Sequence, residues 1–190
     1  MFVDRARQFK ERLKWDVNVD ENGEERDQYD KSALRPLYVI WERPDGSHGG
    51  SMRFLPTTGR TMVNEHFAHL LGGQKISDAQ IWECTRFCLS SGTGSAVASS
   101  LMLAGSALME GQGVDHFVAV FDAPMARVYR MVGSSPEVLG SAGEGRAKTS
   151  VGLWSYTTES KAKLLSNAGL SEELVSWWYE SKFGRDSKAA

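Results

Sequence analysis

Two charged side chains stand in a run of mostly apolar residues. Glu83 and Arg86 lie three positions apart within residues 81–88, between aromatic neighbours. Burying a carboxylate or a guanidinium costs free energy unless each group is paired and hydrogen-bonded. A structural ion pair is therefore one explanation. A catalytic site is the other, because burial raises the pKa of a carboxyl toward neutrality and suits it to act as a general base.

The spacing of this pair constrains the strand that carries it. In a regular β-strand, side chains alternate between the two faces of the sheet, so Glu83 and Arg86 would point to opposite sides. A β-bulge between them would bring both to one face, and bulges are frequent beside active sites. We therefore predict a bulge between Glu83 and Arg86, within a strand over residues 80–90.

Six further residues place charge or aromatic bulk where simple core packing does not require it: Arg5, Phe9, Trp15, Asp27, Asp30 and Arg53. Each has a plain structural explanation. An arginine in a strand can lie on a solvated face, two nearby aspartates can shape a turn, and an aromatic pair can belong to the core. A shared site is the alternative that would explain all of them together.

Composition limits the class of protein. The chain has 190 residues, of which 41% are hydrophobic, and a net charge of -2. This length suits one well-cored domain, and the charge gives no support for nucleic-acid or membrane-surface binding as the main activity. The amino terminus is charged rather than signal-like, and no apolar run approaches the roughly 20 residues that span a bilayer. We expect a cytoplasmic protein.

Metal binding is not expected. Cys84 and Cys88 are the only cysteines, and the four histidines form no cluster with metal-ligand spacing around them. A disulfide framework is excluded by the same count.

Turn residues and apolar periodicity predict a hairpin followed by alternating strands and helices. We expect helices over 2–14, 61–71, 96–111, 124–132, 159–167 and 171–182, and strands over 36–41, 50–55, 80–90, 115–121, 136–140 and 149–157. The acidic segment 16–30 reads as a solvated loop, and the glycine-rich segment 140–145 as a mobile loop. This order predicts a mixed α/β sheet with helices on its faces.

In their order and spacing, residues 5–90 resemble the acyl-homoserine-lactone synthases, the autoinducer synthases of bacterial quorum sensing. The resemblance rests on Arg5-x3-Phe9-x5-Trp15-Asp16-Val17, Glu25-x-Asp27-x-Tyr29-Asp30, Arg53-x-Leu55-x-Thr57-Thr58-Gly59, Phe67, and Ile81-Trp82-Glu83-x2-Arg86-Phe87. The carboxy-terminal half matches by the order of its elements.

The resemblance implies one domain over residues 1–190 with an N-acyltransferase-like α/β fold, whose mostly antiparallel central sheet is flanked by helices and opens into a V-shaped cleft. It implies transfer of an acyl group from acyl carrier protein or coenzyme A to the amine of S-adenosylmethionine. The lactone then closes and methylthioadenosine leaves. S-adenosylmethionine is a substrate, and no cofactor is implied.

The resemblance implies that these residues share one site, and their chemistry suggests distinct roles within it. Glu83, Arg86 and Arg53 form the catalytic group, with Glu83 as the base that deprotonates the amine. Arg5, Phe9, Trp15, Asp27 and Asp30 bind S-adenosylmethionine. The acyl chain and phosphopantetheine arm meet Phe67, Phe87, Ser91, Gly92, Gly94, Ala119 and Phe121, although a plain connector is the other reading of the loop 91–95.

Two departures from the family pattern add expectations. Only four residues precede Arg5, so we expect the amino-terminal edge strand of the family to be absent. Strand 117–121 has no hydroxyl side chain, which favours an unsubstituted acyl chain. Phe121 either shortens the acyl tunnel or fills core. If the donor is an acidic carrier protein, its candidate docking cations are Arg127, Arg130, Arg146 and Lys148; a solvated surface is the other interpretation of each. A generic CoA-dependent N-acyltransferase and a catalytically silent binding protein remain as alternatives.

Overall fold

The computed structural model describes residues 1–184, in which six strands form one sheet in the order β1-β2-β3-β4-β6-β5. The strands are β1 (Leu37–Glu42), β2 (His48–Pro56), β3 (Ile81–Leu89), β4 (His116–Asp122), β5 (Glu137–Ala142) and β6 (Thr149–Trp154). The helices are α1 (Phe2–Ala6), α2 (Met62–His66), α3 (Ser95–Gln112), α4 (Ala123–Val132), α5 (Thr158–Ala168) and α6 (Glu172–Phe183). The predicted mixed α/β architecture is confirmed.

One pair of neighbouring strands is parallel, β3 with β4, and the other pairs are antiparallel. The parallel ladder joins only residues 81–83 to residues 116–118, although both strands continue beyond it. The two strands therefore separate and leave a V-shaped cleft between their carboxyl halves, as expected. Helix α3 makes the long crossover that a parallel pair requires.

β3 contains a bulge, but it lies at Arg86 and Phe87 rather than between Glu83 and Arg86, because the pairing with β2 is regular from Glu83 to Thr85. Arg53 of β2 faces Thr85, while Ser51 faces Cys88, so two steps along β2 correspond to three along β3. Arg86 takes up the extra residue with a left-handed backbone, at a φ of 56°. For a side chain larger than glycine this conformation is unfavourable, and such residues cluster at functional sites.

The two faces of the sheet are covered differently. The larger apolar core lies between the sheet and α3, α4, α5 and α6, and includes Phe54, Leu101 and Phe117. On the other face, α2 and the following turn pack Val63 and Leu70 against Val118 and Val151. The charged residues of β2 and β3 lie on the face that α1 and α2 share.

Several boundaries differ from the sequence prediction. The first helix changes after α1 to a π-helical turn over Arg7–Arg12 and ends there rather than at residue 14. The predicted helix 61–71 is divided into α2 and a 3-10 turn, Ala68–Leu71. The predicted strand 149–157 ends at Trp154, because Thr157 caps α5.

The glycine-rich segment 140–145 is not wholly a loop, because β5 runs through Ala142. Gly140 sits against the backbone carbonyl of Leu70, where a Cβ atom would clash. Its glycine therefore permits close packing within a strand. No helix within residues 1–184 is long and apolar enough to cross a membrane.

Candidate active site

A buried arginine from α1 anchors the acidic loop. Arg5 donates from Nε to Glu25 Oε2 at 2.6 Å and from its two terminal nitrogens to Asp30 at 3.0 and 2.8 Å. Tyr38 also donates to Asp30 Oδ1 at 2.5 Å. The predicted solvated loop is thus tied at this point to the helix and the sheet.

Arg53 of β2 contacts the same loop from the sheet. It forms a bidentate pair with Asp27 at 2.6 and 3.0 Å, and it donates to Asp30 at 2.8 Å. Its Nε donates to Thr85 Oγ1 at 3.0 Å. Arg53 is fully buried, so the hypothesis of a solvated strand arginine is wrong.

The bulged residue Arg86 completes the arrangement. Its terminal nitrogen lies 3.0 Å from Glu25 Oε1 and 2.8 Å from Asp27 Oδ2. The salt bridges close a ring in which cations and anions alternate, in the order Arg5, Glu25, Arg86, Asp27, Arg53 and Asp30. We call these six residues the charge ring. Each member has two partners of opposite sign, which offsets the cost of removing it from water.

The ring keeps Asp30 and Arg53 ionised. Burial alone would raise the pKa of Asp30, but the bonds from Arg5 and Tyr38 and the charge of Arg53 hold it well below its usual range. Burial alone would lower the pKa of Arg53, yet its bonds to Asp27 and the charges of Asp27 and Asp30 raise it. Asp30 and Arg53 therefore both stay charged across the working pH range.

Glu83 stands outside the ring. Its carboxylate is fully buried and accepts backbone N–H bonds from Met62 at 3.0 Å and Val63 at 2.5 Å, at the start of α2. A Glu83–Arg86 ion pair, one of the two initial explanations, is therefore not what the structure contains. Burial raises the pKa of Glu83 to about 7, against the lowering effect of those two backbone bonds and of Arg53.

The position of Glu83 is also distinctive. It is the last residue of β3 that pairs with β4, opposite Val118. The base candidate therefore sits where the V-shaped cleft begins. Thr61 precedes α2 but makes no capping bond, since Glu83 receives the first N–H groups of the helix.

The two predicted aromatic residues stack on each other. The rings of Phe9 and Trp15 are 5.2 Å apart and inclined by 4°. Phe9 is buried and has the Arg86 guanidinium 5.5 Å from its ring centroid, whereas Trp15 is 42% exposed. Phe9 therefore packs against a member of the charge ring, and Trp15 is available to solvent.

The opposite side of β3 borders a small apolar cavity of about 20 Å³. Phe87 and Ala119 line it, together with Cys84 of β3. Phe121 does not line it and packs edge-to-face on Tyr129 and Trp154 in the core. Phe67 lies on the other face of the sheet, beside Val63. Of the four apolar residues predicted to contact the acyl donor, Phe87 and Ala119 therefore line the cavity, whereas Phe67 and Phe121 do not.

The loop with Ser91, Gly92 and Gly94 connects β3 to α3. Gly92 has a positive φ of 76°, which suits glycine. Arg43, at the end of β1, donates to Ser90 Oγ and Thr93 Oγ1 at 2.8 Å each. The loop is therefore held from the side by a residue that sequence reasoning did not select.

Other residues were also missed. Glu25 was part of the quoted motif but had no assigned role, because one more acidic residue in an acid-rich loop gave no separate signal. Tyr38, which donates to Asp30, lies in an ordinary strand sequence that gave no sign of this contact. The predicted carrier-docking cations Arg127, Arg130, Arg146 and Lys148 are all exposed. Within residues 1–184, no group of histidine, cysteine and acidic side chains is arranged to hold a metal ion.

Comparison with known proteins identifies relatives of the chain. The sequence model of the autoinducer synthases, described as "Autoinducer synthase", matches residues 1–163. An acyl-homoserine-lactone synthase of Rhizobium etli is 38% identical over 173 residues, covering 88% of this chain and 81% of that protein. One from Agrobacterium fabrum is 34% identical over 138 residues, covering 68% of this chain and 64% of that protein.

Solved structures share the fold. The acyl-homoserine-lactone synthase LasI is 27% identical, with a TM-score of 0.75 over 87% of this chain and 86% of that one. BjaI, a CoA-dependent synthase solved with S-adenosylmethionine and isopentyl-CoA, is 24% identical, with a TM-score of 0.78 over 90% of this chain and 81% of that one. At this identity the second likeness concerns the fold alone.

Proposed function

Since the chain belongs to the autoinducer synthase family, we infer that it is an acyltransferase that makes acyl-homoserine lactones, and we propose roles for its residues in that reaction. The acyl group passes from a thioester to the amine of S-adenosylmethionine. The observation that carries the assignment of the site is the charge ring, closed beside a buried carboxylate of raised pKa at the start of the cleft.

The ring favours binding of the amino-acid part of S-adenosylmethionine at two of its members. The side chains of Asp27 and Arg86 are each 12% exposed, whereas Arg5, Glu25, Asp30 and Arg53 are at most 3% exposed. The Nε of Arg86 is buried and has no hydrogen-bond partner among the described residues. We assign the substrate carboxylate to Arg86 and the ammonium to Asp27. Trp15 would meet the sulfonium or adenine through its exposed ring.

Glu83 acts as the base in this proposal. An ammonium is not a nucleophile, so it must give up a proton before attack. A carboxylate with a pKa of about 7 can accept that proton near neutral pH, directly or through a water molecule. The free amine then forms a bond to the thioester carbonyl carbon, and the thiol leaves as the tetrahedral intermediate collapses. The substrate carboxylate next attacks its own γ-carbon, which closes the lactone and releases methylthioadenosine.

The cleft supplies the surroundings of the thioester. Beyond Glu83, β3 no longer pairs with β4, so backbone N–H groups facing the cleft are available to stabilise an oxyanion. Phe87 and Ala119 would contact the acyl chain, and Ser91, Gly92 and Gly94 the phosphopantetheine arm. Phe67 and Phe121 lie away from the cavity, and we assign Phe121 to the core.

We propose further that residues 1–190 act as a single domain without a cofactor. The cytoplasm is the proposed place of action, because activated acyl thioesters and S-adenosylmethionine are metabolites of the cell interior. The donor is acyl carrier protein or coenzyme A, and the exposed cations Arg127, Arg130, Arg146 and Lys148 would serve a carrier protein.

One assay tests the function. The purified chain is incubated with S-adenosylmethionine and a panel of acyl carrier protein and coenzyme A thioesters, and methylthioadenosine and lactone are followed by mass spectrometry. We expect both products in equal amounts with at least one donor. Acylation of some other amine would favour the generic N-acyltransferase, and substrate binding without either product would favour the silent member.

A further inference from the structure

Arg43 is the centre of a hydrogen-bond network that lies outside the charge ring. One terminal nitrogen donates to Ser90 Oγ at 2.8 Å, Thr93 Oγ1 at 2.8 Å and the Ser91 carbonyl at 3.1 Å. The other donates to the His48 carbonyl at 2.9 Å and to Ser47 Oγ at 3.3 Å. One side chain thus joins the hairpin between β1 and β2 to the loop between β3 and α3.

The loop residues strengthen this connection themselves. Ser90 Oγ donates to the carbonyls of His48 and Gly49 at 2.8 and 3.1 Å, and Thr93 Oγ1 donates to Gly49 at 3.0 Å. Within residues 1–184, the side chain of Arg43 donates only to neutral oxygens. Arg43 therefore holds the loop through the fixed planar geometry of its N–H donors and not through an ion pair.

The loop needs such support because its own residues give it little rigidity. Gly92 and Gly94 carry no side chain, and the space around their Cβ positions is open. Such a segment samples many backbone conformations when it is free, and ordering it on binding costs conformational entropy. A loop that is already fixed binds its ligand without that cost.

We propose that Arg43 is a positioning residue for the acyl donor: it fixes residues 90–94 in the conformation that receives the phosphopantetheine arm. This inference rests on the proposed function, which places the donor at that loop. Arg43 takes no part in binding S-adenosylmethionine, because its contacts all lie at the hairpin and at the β3–α3 loop.

The test compares Arg43→Met and Arg43→Lys with the parent chain. We expect Arg43→Met to raise the KM for the acyl thioester about 10-fold or more, while the KM for S-adenosylmethionine changes less than 2-fold. Lysine keeps the charge but loses the fork, so Arg43→Lys should resemble Arg43→Met. Arg35→Met, at an exposed position without a role in either site, is the matched control and should leave both constants unchanged.

Hydrogen exchange supplies a second readout that does not require turnover. The amides of Ser90 and Thr93 are bonded to the Gly49 and Ser90 carbonyls, and we expect them to exchange at least 10-fold faster in Arg43→Met while the amides of Met62 and Val63 stay protected.

The outcomes separate this proposal from the function itself. A parent chain that releases no methylthioadenosine with any donor contradicts the proposed function. The exchange measurement would still test whether Arg43 fixes the β3–α3 loop. Unchanged loop exchange or an unchanged donor KM in Arg43→Met overturns the positioning role. A normal donor KM in Arg43→Lys would assign the effect to charge, and equal increases in both KM values would assign it to general loss of structure; either result overturns the proposal.

Discussion

The two sides of β3 satisfy their side chains in opposite ways. On one side, Arg86 belongs to the charge ring through its salt bridges with Glu25 and Asp27, and Thr85 accepts a hydrogen bond from Arg53 of the same ring. On the other, Cys84 and Phe87 border an apolar cavity of about 20 Å³. The bulge at Arg86 makes this division possible, because it turns one additional side chain toward the charged side.

The two sides of β3 should therefore differ in how well they tolerate amino-acid substitutions. The charge ring loses two interactions when any member is removed, and most of the charges that remain are buried away from water. An apolar cavity responds gradually to a change in side-chain volume. We therefore expect substitutions of charge-ring members to abolish function or folding, and substitutions at the apolar cavity to change which donor is used.

The largest effect is expected at Glu83. Glu83→Gln should lower kcat by about 100-fold to 10,000-fold, the range that a general base contributes, while binding of S-adenosylmethionine stays close to that of the parent. In the parent, kcat/KM should rise as pH increases through about 7, where Glu83 ionises. Steady-state kinetics from pH 5 to 9 and calorimetric binding provide the measurements. Turnover near that of the parent would remove Glu83 from the role of base.

The same group predicts a pH dependence of stability. The pKa of Glu83 is raised from its usual value of 4.5 to about 7 in the folded protein, so the folded state holds its proton more tightly than the unfolded state. Its stabilising contribution is fully present below about pH 4.5 and is lost as pH rises to about 7. Relative to Glu83→Gln, the parent should therefore lose stability across this window. Denaturant titrations that keep a constant difference between the two proteins would contradict the shift.

Removal of Arg53 should have the next largest effect. Arg53→Met leaves Asp27 and Asp30 with one arginine each in place of two, and breaking a buried ion pair in this way costs about 3 to 5 kcal/mol. Arg7→Met removes an exposed arginine paired with Asp4 and should change the free energy of unfolding very little. Urea unfolding measures both. Similar losses in the two variants would show that the ring is not a special source of stability.

A smaller effect is expected on the apolar side. Ala119 lines the cavity, whereas Val120 packs against the opposite face of the sheet. Ala119→Leu would fill the space and force neighbouring side chains to shift, at a cost of about 1 to 3 kcal/mol. Donor preference should move toward shorter acyl chains, as measured by competition between thioesters of different length. Val120→Leu, the control, should leave that preference as it is; a shift there instead would place the acyl chain on the other face.

The sequence revealed the charged side more completely than the apolar side. Arg5, Asp27 and Arg53 are unusual in their surroundings, so their types and spacing indicate a site. Phe87 and Ala119 are of types that build any core, and nothing in their spacing separates a cavity wall from ordinary packing. This is why Phe121 was a reasonable acyl contact in the sequence and is a core residue in the structure.

Contacts between distant segments were the other part that sequence reasoning could not supply. The pairing of Glu83 with Arg86 was a fair hypothesis from their proximity, but the bulge sends Arg86 to Glu25, 61 positions away. Arg43 reaches Thr93 across 50 positions. Such contacts depend on the sheet register, and no local propensity or periodicity encodes them.

The smallest predicted effect compares two buried threonines in the segment between β2 and α2. Thr57 donates to the carbonyls of Asp78 and Ile81 and accepts from the Asp78 amide, whereas the hydroxyl of Thr61 is buried without a hydrogen-bond partner among the described residues. Replacing an unpaired hydroxyl by a methyl group removes a desolvation cost, but replacing a paired one leaves its partners unsatisfied. Thr61→Val should therefore keep or raise stability by up to about 1 kcal/mol, and Thr57→Val should lower it by about 1 to 3 kcal/mol. Urea unfolding distinguishes the two, and a loss of stability in Thr61→Val would show that this hydroxyl has a partner in solution.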